Sequence, residues 1–430
     1  MSEGPRAGGR PASVSPEALR QFEAREIERL AALPPSLPFT RQEYASRLSR
    51  LRRQMMADGI DVLVLMAADT MCWLHGYSSR WYRTQSSTTL PPTQCTVVHV
   101  EDAPMFMIES AYHEELVRLT SCVEDFRGLP ATDLNHEPSV EDFVRFLLGE
   151  LRHEGWLGGS VGLELWSCLP NPAVASTIGA GLEEAGCRVI DATKTIRCVR
   201  RLKSSAEIAM IERAQAVCDA GLEALHRSLR PGMTELEAWN LYMTAQVAAG
   251  GEPAAIHETV SVGPPMPMAH TLSSRRRIER GDYLHADACG AVEHYHARGT
   301  RTYFLGEPPG ELLRFSEVIG GAFDVLLETA RVGLPFRDLN RVLRDYYLEC
   351  GIASEDFFAG GYELGVSFPP DWVGEFCWSC HDDETDEVIE KGLVTNFESC
   401  AFLVQVDTIV FAESGSRLLC RVPRELLVVA

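Results

Sequence analysis

DACGAVEHYHARGTRTYFLG, residues 287–306, is the stretch on which the reading of this chain turns. With the preceding DYLHA it reads as two strands, DYLHADACGA and TRTYFLG, joined by a short turn. Side chains alternate along a strand, so His296, Arg298 and Thr300 share one face and Asp287 faces them across the ladder. A guanidinium is always charged and can grip a carboxylate through two parallel hydrogen bonds. Arg298 therefore either pairs with Asp287 or receives the carboxylate of an amino-acid-like substrate.

Beyond the hairpin, LVTNFES, LVQVDTIVF and SRLLCRV read as three more strands, with helices at about Glu311 to Thr329 and Asp338 to Cys350 inserted before them. Strands with helices between hairpins suggest an α+β sandwich. Upstream, Ser204 and Ser205 precede Glu207, apolar residues follow at Ile208, Ile211, Ala214, Val217 and Leu222, and Pro231-Gly232 ends the pattern. That long helix opens a second domain, residues 200–430. Residues 40–199 make an α/β domain, in which Thr40 stands at capping-box spacing from Glu43 and Tyr44, Leu48, Leu51 and Met55 mark an amphipathic helix. Strand-like runs DVLVLMA, TQCTVVHV, PMFMIES, VGLEL and CRVID interleave there with helical segments near Glu114–Leu119 and Val140–Leu151. Residues 1–39 form an extension with a short helix between Glu17 and Arg29.

The 430 residues, 45% hydrophobic and 23% charged, suffice for two ordinary domains. Sixty-one acidic against forty basic residues give a formal charge of −21, which repels phosphate backbones and anionic lipid, so neither nucleic acid nor a membrane is expected as a partner. No apolar run approaches the roughly 18–20 residues needed to cross a bilayer. The start, MSEGPRAGGRPASVSPEAL, has no signal-peptide core, and the expected location is cytoplasmic. Thirteen scattered cysteines fit reduced thiols. Cys377-Trp378-Ser379-Cys380-His381 has the spacing of haem attachment, half a zinc site or a redox dithiol, but without an export signal or a second pair it reads as a loop with two free thiols.

FTRQEYASRLSRLRRQMMADGIDVLVL (39–65) resembles the start of a creatinase amino-terminal domain, and KSSAEIAMIERA (203–214) the helix opening the pita-bread domain of the creatinase and prolidase superfamily. The hairpin, GGYELGVSFPPDW, VTNFES and QVDTIVFAESG follow in the order that superfamily requires. The resemblance implies an α/β amino-terminal domain followed by an α+β pita-bread catalytic domain. It also implies a comparison of metal ligands. Metal-dependent members hold two divalent ions with five ligands. Asp287 and Glu398 match two of them, while Arg298, Tyr362 and Val406 fall where the second Asp, the His and the last Glu would be. An arginine cannot ligate a cation and a valine has no donor, so no metal and no other cofactor is expected. This absence resembles creatinase, whose catalytic histidine is matched by His270 in PMAHTLSS. GYELGVSFPPDWVGE is similar to a segment of ectoine hydrolases, where the ligand His has likewise become Tyr.

On that resemblance His270 is the acid/base candidate, since an imidazole can take a proton from water and give one to a leaving nitrogen near neutral pH. Asp287 and Glu398 are candidates to activate water, attack as nucleophiles or hold a cationic group. His296, Arg298, Tyr362, Asp371, Trp372 and Trp81 are candidate substrate-binding residues, with Trp73 and Tyr82 as further stacking surface. The expected function is metal-independent hydrolysis of a C–N bond in a small zwitterion such as a cyclic amidine, guanidino acid or amide, by a homodimer. A lyase, cyclase or isomerase in the same pocket, and a binding scaffold without catalysis, are the alternatives.

Overall fold

The computed structural model describes residues 14–79, 88–130 and 138–430. In the first domain the helix Arg41–Asp58 starts where the sequence pattern puts it, because the Thr40 side chain accepts the Glu43 backbone N–H at 3.2 Å. It ends at Gly59, whose φ of 68° is left-handed and suits a residue without Cβ. Strands β1 (Val62–Leu65), β2 (Cys95–His99), β3 (Phe106–Ser110), β4 (Asp125–Leu129), β5 (Ser160–Leu163) and β6 (Arg188–Asp191) form one mixed sheet in the order β4-β3-β2-β1-β5-β6. The helices Val140–Glu154 and Pro172–Glu184 bury Phe143, Leu147, Ile178 and Leu182 against one face. On the other face Leu51, Met55, Leu63 and Leu65 join a core that continues into the second domain through Ile211, Ala214, Tyr295 and Val394. The extension carries a helix, Pro16–Ala31, with no buried residue. The helix Thr193–Arg201 runs across the boundary expected at 199/200.

The second domain opens with the helix Ser205–Ser228, closed at its start by a reciprocal capping box between Ser204 and Glu207. Its strands are β7 (Thr259–Val262), β8 (Tyr283–Asp287), β9 (Cys289–Val292), β10 (Tyr295–Leu305), β11 (Phe358–Tyr362), β12 (Cys377–Ser379), β13 (Val394–Cys400), β14 (Val404–Val410), β15 (Arg417–Leu418) and β16 (Leu427–Val429). The main sheet runs β12-β11-β13-β14-β10-β8-β7, with β9 and β16 also on β10 and β15 on β14. One core lies under the helices Gly310–Thr329 and Phe336–Glu349, another under Ser205–Ser228 and Glu235–Ala248. These are the α/β and pita-bread α+β domains expected.

The hairpin departs from its simplest reading. Where one strand DYLHADACGA was expected, the ladder breaks at Ala288 into β8 and β9. The reason lies in packing: β9 rests so closely on the helix Ser205–Ser228 that a Cβ on Gly290 would stand 1.9 Å from the Ala214 carbonyl. The turn is two residues, Glu293 and His294, with φ of 50° and 62°, the mirror-image geometry that matches strand twist. SRLLCRV forms only the two-residue β15 instead of a full strand. Its continuation gives the carbonyls of Val422 and Pro423 to the Arg301 guanidinium, each at 2.8 Å.

Candidate active site

Register places the candidate side chains. Ala286 pairs with Arg301, so Asp287 stands opposite Thr300. Thr300 pairs with Val406, Val406 with Glu398, and Glu398 with Gly360. One row across four strands thus carries Asp287, Thr300, Val406 and Glu398 on a common face. Arg298, two residues from Thr300 on β10, joins that face and is buried. Its Nη2 donates to Asp287 and its Nη1 to the Tyr362 hydroxyl, and Nη1 also lies 3.6 Å from Glu398. Thr300 donates to Asp287 at 3.0 Å. The indole of Trp372 lies 5.0 Å from the guanidinium carbon and donates its N–H to Tyr362 at 3.1 Å. The hydroxyl oxygen of Tyr362 therefore accepts two hydrogen bonds and keeps its own proton to donate outward.

The two carboxylates are pushed in opposite directions. Burial works to raise Asp287, but Arg298, His285 and the Thr300 hydroxyl outweigh it and hold this carboxyl below its ordinary range. Burial also raises Glu398, and there Arg298 and the hydrogen bond from Asn396 fail to compensate, so Glu398 stays above its ordinary value. The guanidinium and the hydroxyl thus favour the charged form at Asp287, while burial disfavours it at Glu398. Burial raises the Tyr362 phenol as well, so it remains protonated at neutral pH.

Asn396 was not singled out from the sequence. It donates to Glu398 at 2.8 Å and accepts the Tyr362 backbone N–H at 2.6 Å, tying β13 to β11 at the site. Its position two residues before Glu398 on one strand was the available signal, as was the alternation that puts Thr300 beside Arg298.

The other candidates are dispersed. His270 is exposed and follows the short helix Pro265–Met268 with a left-handed φ of 79°. It bears electrostatically on Asp287, Glu398 and His285, but forms no hydrogen bond among the described residues. His296 has both nitrogens occupied by backbone: Nδ1 donates to the His294 carbonyl at 2.8 Å and Nε2 accepts the Ala255 N–H at 2.9 Å. Burial lowers it to about 4, so it stays neutral and props two backbone segments, leaving no nitrogen for a substrate. Asp371 turns away from the carboxylates and accepts the Val373 N–H at 3.1 Å. It lines a separate cavity of about 620 Å³ between the domains, whose cations already have carboxylate partners: Arg197 with Glu375, Arg200 with Asp69 and Lys203 with Glu363. Trp73 is core, donating to Glu207 at 3.0 Å. Trp81 and Tyr82 lie outside the described residues. Cys377 is exposed, while Cys380 is buried and accepts the Ala359 N–H.

Residues 209–415 match the model of metallopeptidase family M24. An ectoine hydrolase of Halomonas elongata is 26% identical over 414 residues, spanning 91% of this chain and 99% of its own length. The chain is similar to members of the creatinase and prolidase superfamily. A Xaa-Pro dipeptidase of Pyrococcus horikoshii is 27% identical over 238 residues, covering 54% of this chain and 66% of that protein. Among solved structures, a dipeptidase from Pyrococcus horikoshii superposes with a TM-score of 0.72 at 18% identity, over 89% of this chain and all of the other, and an X-Pro aminopeptidase from Thermotoga maritima with 0.70 at 20%, over 89% and 99%. Metal-dependent members of the superfamily would hold a cation pair on this face. Here the residues do not fit one: the Arg298 guanidinium fills the space between Asp287 and Glu398, the Tyr362 oxygen is committed to two donors, and Val406 offers no ligand. Among the described residues no group of three or more His, Cys, Asp or Glu side chains is placed to hold a metal ion.

Proposed function

We propose that this hydrolase-superfamily chain opens a C–N bond in a small zwitterion, a cyclic amidine, guanidino acid or related amide, without a metal ion. The observation that carries the reading is the guanidinium between two carboxylates of opposite character. With Glu398 ionised, Asp287, Arg298 and Glu398 sum to one negative charge on a buried face, which attracts an amidinium or ammonium group. The likeness to ectoine hydrolase over nearly the whole chain supports the same substrate class.

In the proposed reaction Glu398 takes a proton from water and the water oxygen bonds to the substrate carbon. His270 delivers a proton to the nitrogen, and the C–N bond then breaks with its electron pair on that nitrogen. Tyr362 donates its free hydroxyl hydrogen to the developing negative charge. Arg298 holds Asp287 and Tyr362 in place, and Trp372 covers the guanidinium. The site is proposed to act within a cytoplasmic homodimer, which a mass measurement in solution tests directly.

The deciding experiment is mass spectrometry of the protein incubated with ectoine, creatine and a panel of amidino, guanidino and N-acyl amino acids, with and without chelator. Chelator-resistant turnover that adds one water and disappears in His270→Ala is the expected result. Turnover that needs an added divalent ion defeats the metal-free mechanism, and substrate loss without uptake of water assigns a lyase instead.

A further inference from the structure

One residue pair along the strands from Asp287 lies a second polar row that the mechanism does not use. Ser261 pairs with His285, and His285 with Thr302, across β7, β8 and β10. All three point to the same face as Asp287 and Thr300, because His285 is two residues from Asp287, Thr302 two from Thr300, and Ser261 two from Thr259, which pairs with Asp287. They are 0%, 2% and 3% exposed. The Ser261 Oγ, the His285 Nδ1 and the Thr302 Oγ1 have no hydrogen-bond partner among the described residues. Buried hydroxyls elsewhere in this sheet are satisfied: Thr408 donates to the Arg298 carbonyl, Thr395 to the Asn396 carbonyl and Ser399 to the Ile319 carbonyl. Three unpartnered groups side by side on adjacent strands, where the hydroxyls of Thr395, Ser399 and Thr408 are paired, form a set of donors and acceptors that the fold itself does not consume.

We propose that Ser261, His285 and Thr302 form an uncharged subsite beside the Asp287–Arg298–Glu398 cluster that takes the amide group of an N-acylated or cyclic amide substrate. The proposal rests on the reading of the neighbouring cluster as a substrate site. The two rows are about 7 Å apart, two residues of strand, which a small amino-acid-derived molecule spans. An amide carries both a donor and an acceptor, as do two hydroxyls and a neutral imidazole together. A carboxylate bound here would meet no free cation, since Arg298 is committed to Asp287 and Tyr362. It would also lie beside Asp287. The helix Pro265–Met268 packs over β7 and β8 and leads directly to His270, so a group held on this row lies under the segment that carries the acid/base candidate.

The test is calorimetric binding of Nγ-acetyl-2,4-diaminobutyrate and of 2,4-diaminobutyrate, to the wild type and to the triple variant Ser261→Ala, His285→Leu, Thr302→Val. The wild type is expected to bind the acylated compound about tenfold more tightly, as the gain of one or two hydrogen bonds allows. The triple variant is expected to bring that ratio near one without lowering Tm, because it removes only unpartnered polar atoms. A preference that survives the substitutions, or equal binding of both compounds by the wild type, overturns the subsite while leaving the cluster's role intact. A triple variant that loses Tm by several degrees shows a structural row and overturns the subsite in the same way. Binding of neither compound by the wild type overturns the substrate class and the subsite together. Should the triple variant not fold, Thr302→Val alone, the smallest change in volume, is read for the same ratio.

Discussion

Arg298→Met tests the physical core of the site without reference to any substrate. The arginine side chain is 6% exposed, and its two carboxylate neighbours are each 22% exposed. Removing one partner of a buried pair costs roughly 3–5 kcal/mol because the other charge is left uncompensated. The residual exposure of Asp287 and Glu398 reduces this, so about 3 kcal/mol is expected at pH 8. The pH dependence gives the sharper signature. In the wild type Asp287 lies below its ordinary pKa, so it contributes stability above the unfolded value and loses it only as pH falls through the depressed folded value. Without Arg298, burial is the largest influence on Asp287 and raises it above the unfolded value. The sign then reverses, and the folded state is unpenalised at low pH and penalised as pH rises through the ordinary carboxylate range. The loss should therefore shrink towards about 1 kcal/mol at low pH, because in the variant burial favours the neutral carboxyls. Over a unit of roughly 200 residues, 3 kcal/mol corresponds to about 6–12 °C in Tm. Paired urea and thermal unfolding of both proteins at pH 4.5 and pH 8 measures it. A destabilisation under about 1 kcal/mol, or one equal at the two pH values, refutes the claim that this guanidinium neutralises the site.

Four further outcomes follow from the same geometry. Glu398→Gln should remove the acidic limb of the kcat/KM profile, a limb set above the ordinary glutamate pKa because the active base is the ionised form of a group that burial raises. His270→Ala should lower kcat by roughly 10²–10⁴ with Tm unchanged, given its exposed position. Gly361→Ala would place a Cβ 2.1 Å from the Asn396 carbonyl, forcing β11 from β13 and displacing Tyr362. A loss of about 1–3 kcal/mol is expected in urea unfolding, together with lost activity. Lys203→Met strands Glu363 in a buried setting beside the interdomain cavity and should cost about 3 kcal/mol or more in the same assay, an effect absent from the exposed pair Lys391–Glu413.

Glu398 on β13 entered only through the family resemblance, whereas the two-domain architecture, the long helices with their caps, and the shared face of Asp287, Arg298 and Thr300 on β8 and β10 were legible in the residues themselves. These are local facts: capping boxes act over three residues, and alternation places Arg298, Thr300 and Asp287 on one face wherever a hairpin forms. Partners distant in the chain were a matter for the tertiary structure. Nothing local shows that both nitrogens of His296 are taken by the backbone, that Asp371 turns towards the interdomain cavity while Trp372, its neighbour, covers Arg298, or that Asn396 links Glu398 to Tyr362. Nor could it show that Ser261, His285 and Thr302, up to 41 positions apart, stand side by side unpartnered, or that Asp287 and Glu398 are shifted in opposite directions. Hydrogen bonding and burial depend on which atoms meet in space, and those meetings are set by strand order and helix packing, not by spacing along the chain.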